Sequence, residues 1–598
     1  MAQWHPSFPP KALVDKGQPG VDEVVKWLQD NVPEMKAPDT SLTSREKELA
    51  RMSVADYLTA RKDGLVTCEE YVKALVKRMV YYRYMNQFMY WDNMPQQAAY
   101  IVKQAVALDA KAAREGIEAI GPFYGLPVPV KGTMATTDFP SSAGVGVLHD
   151  CYAKQDAAAI ALLREGHAVV MGKTNVPEFA ASWVTANYAN GRCLNPFDHT
   201  LITGGSSGGS ASAVASYIAP IAFTEDTGGS TRIPALQCHN FGFDPSRNHY
   251  PNMGNPGITF FNDQIGLNGR SLEDILLFDA ALLGTHQEHA AKARTMPEPA
   301  AIRVGVPRYP FVEFFIPNGG CNKFQLPASM KIVDVVEEKY EAVKAALVSG
   351  GVQLVHEEWP QVKAKHSDNL ENSLADFLFG QKVNGHPVDN LVCMHGFSGQ
   401  MAEWVYSYLG VPVSNHEIVQ DMKSLGTAHS PSFFVSASSA SDESDFRRFA
   451  ASLPEFTRLW NDFFDIHGVD VIMAPMMFSE PLSYVDAIGD TCKVKVERDG
   501  ERVVENVKII DVFAIHTLVG KCIPIPKLVV PTGLDVNGKP SGMMFMGRAA
   551  PPERMFDDDF ARTYDLDFLY TVKPLVKLIQ DTTGLRRVDA PLAADLFA

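Results

Sequence analysis

Several features of the 598-residue sequence are missing, and each absence removes a class of function. Its eight cysteines (Cys68, Cys151, Cys193, Cys238, Cys321, Cys393, Cys492 and Cys522) form no C-x-x-C pair. Scattered thiols suit reduced side chains better than a disulfide framework or a zinc site. His286 and His289 stand in HQEH, without the spacing of H-E-x-x-H, and are expected on a surface helix or loop. No apolar run approaches the roughly 18 residues that cross a bilayer, and MAQWHPSFPPKALVDKGQPG at the start has no apolar core of a secretory signal. A cytoplasmic protein with no stable membrane insertion is expected. Positive charge is also short: 54 Lys and Arg against 70 Asp and Glu leave a net charge of −16, which repels nucleic acid. No glycine-rich dinucleotide fingerprint with its downstream acid is present, so no cofactor is implied and no metal is needed.

What remains is an ordinary globular composition, 46% hydrophobic. Residues 1–20 read as an irregular arm and 21–32 as a short amphipathic helix, within an N-terminal extension over 1–51. Two helices are expected in MSVADYLTARKDGLVTCEEYVKALVKRMVYY, with Thr67 as an N-cap and Glu70 completing a capping box. A further helix covers about 96–115, and the aromatic run YYRYMNQFMYW (81–91) is read as core. From 121 to 283 short β runs alternate with helical stretches at 156–165 and 208–218, the pattern of an α/β sheet covered on both faces. Strands follow at 302–306, 352–355 and 469–474, a helix at 328–349, and a hairpin at 528–548, while 360–450 has no clean period. The Met pair of VIMAPMM (471–477) is read as core or pocket lining.

The chemistry concentrates in GGSSGGSASAVASYIAPIAFTEDTGGSTR, residues 204–232. It holds two glycine-flanked serines, Ser206 and Ser230, 24 positions apart, and upstream Lys131 ends the run GLPVPV. A serine becomes a nucleophile when a base takes its proton, and a lysine is such a base when burial keeps it neutral. Glycines beside a serine let backbone N–H groups reach a developing oxyanion. Two other readings compete for the cluster. A P-loop needs Lys-Ser/Thr after the glycines, whereas Ser-Ala-Ser follows Gly209. Gly204 to Gly208 also satisfies G-x-S-x-G, a nucleophile elbow that would need a downstream acid and His.

GGSSGGS (204–210) and DTGGSTRIPA (226–235) resemble the core of the amidase signature family. So do GPFYGLPVPVKG (121–132), DAAAIALLREGHAVVMGKTNVPEFA (156–180), the Asn187–Gly191–Asn195–Pro196 spacing, and LVVPTGLDVNGKPSGMMFMGR (528–548). The resemblance runs from about Ser53 to about residue 585 and implies an α/β fold: a large mixed, twisted sheet sandwiched between helices. On this basis residues 52–598 form the amidase signature domain, with 360–450 as a variable, substrate-shaping insert.

The resemblance implies an amidase that cleaves a carbon–nitrogen bond through an acyl-enzyme. Ser230 is then the nucleophile, Ser206 a bridging serine held by a cis peptide, and Lys131 the base. The N–H groups of Thr227, Gly228, Gly229 and Ser230 would form the oxyanion hole. Ser207 is a supporting hydrogen-bond partner or a structural residue. Asp226 and Arg232 are read as a pair that locks the loop, with substrate binding as the alternative. Met134, Asn187 and Thr203 are candidate substrate contacts. The family usually follows its lysine with an acidic residue, and Gly132 here removes that neighbour. A small neutral or apolar acyl amide is the expected substrate, and a homodimer is left open. Alternatives are a glutaminase-type amidotransferase subunit, an ester or carbamate hydrolase on the same site, and an amidase-fold binding protein without turnover.

Overall fold

The computed structural model describes residues 42–90, 94–187, 190–259, 262–315, 329–359, 396–412, 443–489, 491–498, 501–508, 516, 523, 525–554 and 557–597. The expected arm and helix over 1–32, and most of 360–450, lie outside these residues.

The first described part is helical. Helices α1 (Val54–Lys62) and α2 (Cys68–Tyr81) are capped by Ser53 and Thr67, whose side chains accept the N–H groups of Asp56 and Glu70. The box expected at Thr67 is only half made, because the Glu70 carboxylate accepts from Arg45 Nε at 2.9 Å. A charge-assisted bond to a guanidinium outcompetes a neutral backbone N–H. Helix α3 (Met94–Glu115) then leads to the parallel pair β1 (Pro127–Lys131) and β2 (Val169–Thr174). Strand β1 contains Pro127 and Pro129, which lack the N–H of a two-sided ladder, and it pairs only with β2. The register shifts between Val128 and Val130, at the second proline. From the aromatic run, Tyr82, Phe88 and Tyr90 are buried as expected, whereas Tyr81 is exposed on the last turn of α2.

Past this pair come α4 (Gly208–Ala215), β3 (Ile221–Asp226), α5 (Arg232–Gln237), β4 (Phe241–Asp244), β5 (Gln264–Gly269) and α6 (Leu272–Leu283). Helix α7 (His286–Arg294), β6 (Arg303–Gly305), β7 (Glu313–Phe315), β8 (Ser329–Lys331), α8 (Asp334–Ser349) and β9 (Gln353–Val355) follow. The later strands are β10 (Val471–Pro475), β11 (Thr491–Arg498), β12 (Glu501–Lys508), β13 (Lys527–Leu534) and β14 (Pro540–Met546), before helix α9 (Asp558–Asp581). The helix expected over 328–349 begins only at Asp334, because Ser329–Lys331 pairs with β7 and β11 instead.

The eight-stranded sheet runs β9-β6-β10-β14-β13-β4-β5-β3. Its β9, β6 and β10 are parallel, and every later neighbour is antiparallel. A second sheet, β12-β11-β8-β7, is antiparallel throughout. Strands β3 and β10 are buried along their whole length, as strands covered on both faces must be. The methionines of 471–477 fall in this core. Among the described residues no helix is long and apolar enough to cross a membrane.

Two packing details matter for the site. A Cβ on Gly132 would lie 2.3 Å from Met89 Cε and 2.6 Å from the Thr174 carbonyl oxygen, so no acidic side chain fits after Lys131 without displacing β2. The second is a buried cluster that fastens α9 to the sheet. His249 lies 2.7 Å from Asp279 Oδ1 and 2.9 Å from Asp565 Oδ2, and Asp565 also accepts from the Ser246 N–H and hydroxyl. His289, expected on the surface, is buried in this cluster 3.0 Å from Asp279 Oδ2, whereas His286 is exposed. Burial opposes a charge on His249, but the flanking carboxylates overcome it and raise its pKa to about 9, above the ordinary 6.5.

Gly132→Ala should lower the urea unfolding free energy by roughly 1–3 kcal/mol; an unchanged midpoint would mean that β2 yields freely. The raised folded-state pKa of His249 gives stability that is complete below pH 6.5 and lost as the pH rises through about 9. The wild type should therefore lose on the order of 3 kcal/mol over that window, and His249→Gln should flatten the slope.

Candidate active site

Lys131 is the last residue of β1, and its side chain is fully buried. Its Nζ donates to Ser206 Oγ at 2.8 Å, to the Glu225 carbonyl at 2.9 Å and to Glu225 Oε2 at 2.7 Å. Two expected residues, Lys131 and Ser206, therefore meet, together with a carboxylate from β3 that the sequence reading did not single out. Burying an ammonium is costly in a low-dielectric interior, and a carboxylate in contact offsets that cost. Gly132 removes an acidic neighbour along the chain, and Glu225 supplies one through space.

Ser206 is reached through a cis Gly205–Ser206 peptide. The turn is held by Thr185, whose hydroxyl donates to the Gly204 carbonyl at 2.8 Å and accepts the Gly208 N–H at 3.0 Å. Helix α4 begins immediately and is buried throughout, which its GGSASAVA sequence permits because no side chain is large. A Cβ on Gly209 would fall 2.4 Å from the Asn175 backbone nitrogen. Ser207 joins the two serine-bearing segments: its N–H donates to the Ser230 carbonyl at 3.2 Å, and its hydroxyl donates to the Glu225 carbonyl at 3.3 Å.

Ser230 itself is 4% exposed, in the turn between β3 and α5. That turn is built around Asp226. One carboxylate oxygen accepts the Gly229 N–H at 2.7 Å, and the other accepts the Thr231 N–H at 2.9 Å. This corrects the expectation that four successive N–H groups converge, because the Gly229 N–H is turned to Asp226 by a charge-assisted bond. Arg232 Nε lies 3.1 Å from Asp226 Oδ2 and 3.1 Å from Asp244 Oδ2, all three side chains being fully buried. Lys527 approaches Asp244 at 3.6 Å from β13. The expected Asp226–Arg232 pair is thus part of a larger network spanning β3, β4 and β13. Outside the turn, the Trp183 indole donates to the Gly228 carbonyl at 2.9 Å.

The candidate substrate contacts are engaged with the protein. Asn187 donates to Asn175 Oδ1 at 2.8 Å and to the Val176 carbonyl at 2.6 Å, and its own oxygen accepts the Asn190 N–H at 2.6 Å. Both amide donors are occupied, so the side chain holds the loop in place of a pocket contact. Thr203 is buried and donates to the Gly204 carbonyl at 3.1 Å. Met134 is fully buried, and its carbonyl accepts from Lys173. Burial pushes the Lys173 amine down to about 7 from 10.5.

A cavity of about 720 Å³ is lined by Asn252, Gly254, Asp263, Glu403, Trp404 and Arg562 among others, and Lys131, Ser206 and Ser230 are not in its wall. The contact between cavity and turn is Asp263, whose Oδ1 accepts from the Thr227 hydroxyl at 2.7 Å. Gln400, Trp404 and Tyr408 belong to the described part of the segment expected to shape the pocket.

The sequence model of a family described as Amidase matches residues 91–555. Among curated proteins, the A-subunit of the glutamyl-tRNA(Gln) amidotransferase of Pelodictyon phaeoclathratiforme is 33% identical over 266 residues, covering 42% of this chain and 54% of that protein. Its counterpart from Thermobifida fusca is 35% identical over 236 residues, covering 40% and 45%. The chain thus spans about half the length of the curated relatives it matches. The X-ray structure of native peptide amidase from Stenotrophomonas maltophilia superposes with a TM-score of 0.65 at 19% identity, over 91% of this chain and 99% of that one. A 6-aminohexanoate cyclic dimer hydrolase superposes with a TM-score of 0.59 at 18% identity, over 88% and 98%. At these identities the two structures speak for the fold.

Arg232→Met should cost about 3–5 kcal/mol in urea unfolding, since Asp226 and Asp244 lose the cation between them. A loss below about 1 kcal/mol would mean that Lys527 alone neutralises the pair.

Proposed function

Because the chain belongs to the amidase family, whose model spans residues 91–555, we propose that it hydrolyses a carbon–nitrogen amide bond with Ser230 as nucleophile. The observation that carries this reading is the 2.8 Å contact between Lys131 Nζ and Ser206 Oγ, placed next to the Ser230 turn by the Ser207–Ser230 backbone bond. Ser230 Oγ attacks the carbonyl carbon, and its proton passes through Ser206 to Lys131. N–H groups of the 227–230 turn other than that of Gly229 stabilise the tetrahedral oxyanion. Collapse breaks the carbon–nitrogen bond, the amine leaves with the returned proton, and water cleaves the acyl-enzyme through the same relay.

A small neutral or apolar acyl amide is the proposed substrate class, on the methionine- and aromatic-bearing segments of the sequence. The thiols Cys68, Cys151, Cys193 and Cys238, none of them in a disulfide, support a cytoplasmic setting. A second reading, a glutaminase-type component of an amidotransferase, is favoured by the identity to the two amidotransferase proteins. Ammonia release from glutamine by the isolated chain, compared with release from acyl anilides, primary amides and matched esters, separates these readings.

Ser230→Ala should abolish turnover and remove the single adduct formed with a fluorophosphonate, read by intact mass and peptide mapping. Lys131→Ala should lower kcat by about 10²–10⁴-fold. An adduct on Ser206 or Ser207 would reverse the assignment of roles, and an unlabelled folded protein would favour a binding function without turnover.

A further inference from the structure

The Lys131 amine has three partners among the described residues: the Glu225 carbonyl and Glu225 Oε2, which accept from it, and the Ser206 hydroxyl. Two of the amine's contacts are thus directed at Glu225, and the third faces a hydroxyl that can accept from an N–H or donate to a lone pair, the arrangement a proton conduit needs. The carboxylate is also held for a purpose beyond neutralising charge. Its Oε2 faces Lys131 at 2.7 Å while its Oε1 lies 3.0 Å from the Thr227 hydroxyl, whose single hydrogen it shares with Asp263 Oδ1, so one oxygen is directed at the amine and the other at the turn.

We propose that Glu225 is the final acceptor of the Ser230 proton, with Lys131 as the conduit between Ser206 and Glu225. This deepens the amidase reading and rests on it. The balance is one proton and one charge. As Ser230 Oγ bonds to the carbonyl carbon, its proton moves to Ser206 Oγ, and the proton of Ser206 moves to Lys131 Nζ. Lys131 yields an N–H proton to Glu225 Oε2 as it takes that of Ser206 on the vacated lone pair, so serine and lysine each gain one proton and lose one. The negative charge leaves Glu225 and appears on the substrate oxygen, where the turn receives it. Breaking the carbon–nitrogen bond returns the proton along the same atoms to the departing amine.

The surroundings of Glu225 fit this role. Asp226, next on β3, faces Arg232 and Asp244, away from the lysine. From β1 the facing charged group is Lys131. From the segment before β5 it is Asp263, which reaches Glu225 only through the Thr227 hydroxyl. Asp263 Oδ2 is occupied by the N–H groups of Ile258 and Thr259 at 2.8 and 3.1 Å. Among the described residues, Glu225 is thus the carboxylate in direct contact with the lysine.

The test is the rate of fluorophosphonate acylation of Ser230, followed by intact mass over roughly pH 5 to 10, on the full chain and on E225Q and E225D. In this reaction the Oγ–phosphorus bond forms, the phosphorus–fluorine bond breaks, fluoride leaves and the serine proton enters the relay. E225Q keeps one acceptor oxygen for Lys131, presents an NH2 donor to the Thr227 hydroxyl, and cannot take the proton. Its rate near neutrality should fall by about 10²–10³-fold, and its half-maximal rate should move about one unit or more to higher pH, because the amine must now lose its own proton. E225D keeps a carboxylate, so it should lose rate while holding the wild-type pH midpoint. This second variant decides the matter if E225Q does not fold. A wild-type profile in E225Q, or a raised midpoint in E225D, overturns the role of Glu225 and leaves the amidase reading standing. A wild type that forms no Ser230 adduct at any pH overturns the amidase reading, and the proton route with it.

Discussion

The buried contact of the Lys131 amine with the Glu225 carboxyl and the Ser206 hydroxyl is the one around which this site is arranged. Bringing Lys131, Ser206 and Glu225 within 2.7–2.8 Å requires three separate segments to converge: the end of β1, the turn before α4, and the end of β3. Each approach depends on small residues or fixed geometry. Pro129 sets the register of β1, the glycines from 204 to 209 let the serine turn pass against backbone, and Gly132 leaves β2 room to lie alongside. A buried charge is tolerated only when its partners are in place, so this packing and the charge pair stand or fall together.

The turn bearing Ser230 depends on a second buried charge group. Asp226 organises the turn by accepting backbone N–H groups, and Arg232 and Asp244 tie it to neighbouring strands. The same arrangement decides which backbone donors remain. Because Asp226 claims the Gly229 N–H, an oxyanion must be served by the others, and a loop so constrained changes little when charge develops beside it. Ser207 then links this rigid turn to the Lys131 side, so the proposed nucleophile and its relay share one framework.

Much of the site could be read from local patterns. Glycine-flanked serines, an apolar run ending in lysine, and acidic and basic residues either side of TGGS are signals carried within a few positions, and β1, α4, β3 and the hairpin of β13 and β14 follow from periodicity. Other features had no local mark. Glu225 sits in an alternating strand where nothing separates an inward carboxylate on the lysine from a solvated one, and Asp244 and Asp263 look like ordinary loop or strand-end acids. His289 reads as a surface residue because its helix is polar, and its buried role appears only when Asp279 is packed against it.

The sequence by itself determined the alternation of strands and helices around the site, the family, and the residue types available for chemistry, because periodicity, turn residues and short motifs are properties of neighbours in the chain. Tertiary structure alone decided which carboxylate meets Lys131, where the Gly229 N–H points, and that Asn187 holds a loop. Those outcomes depend on which of many buried polar groups come within hydrogen-bonding distance, and that is fixed by packing between segments nearly a hundred residues apart, as with Lys131 and Glu225.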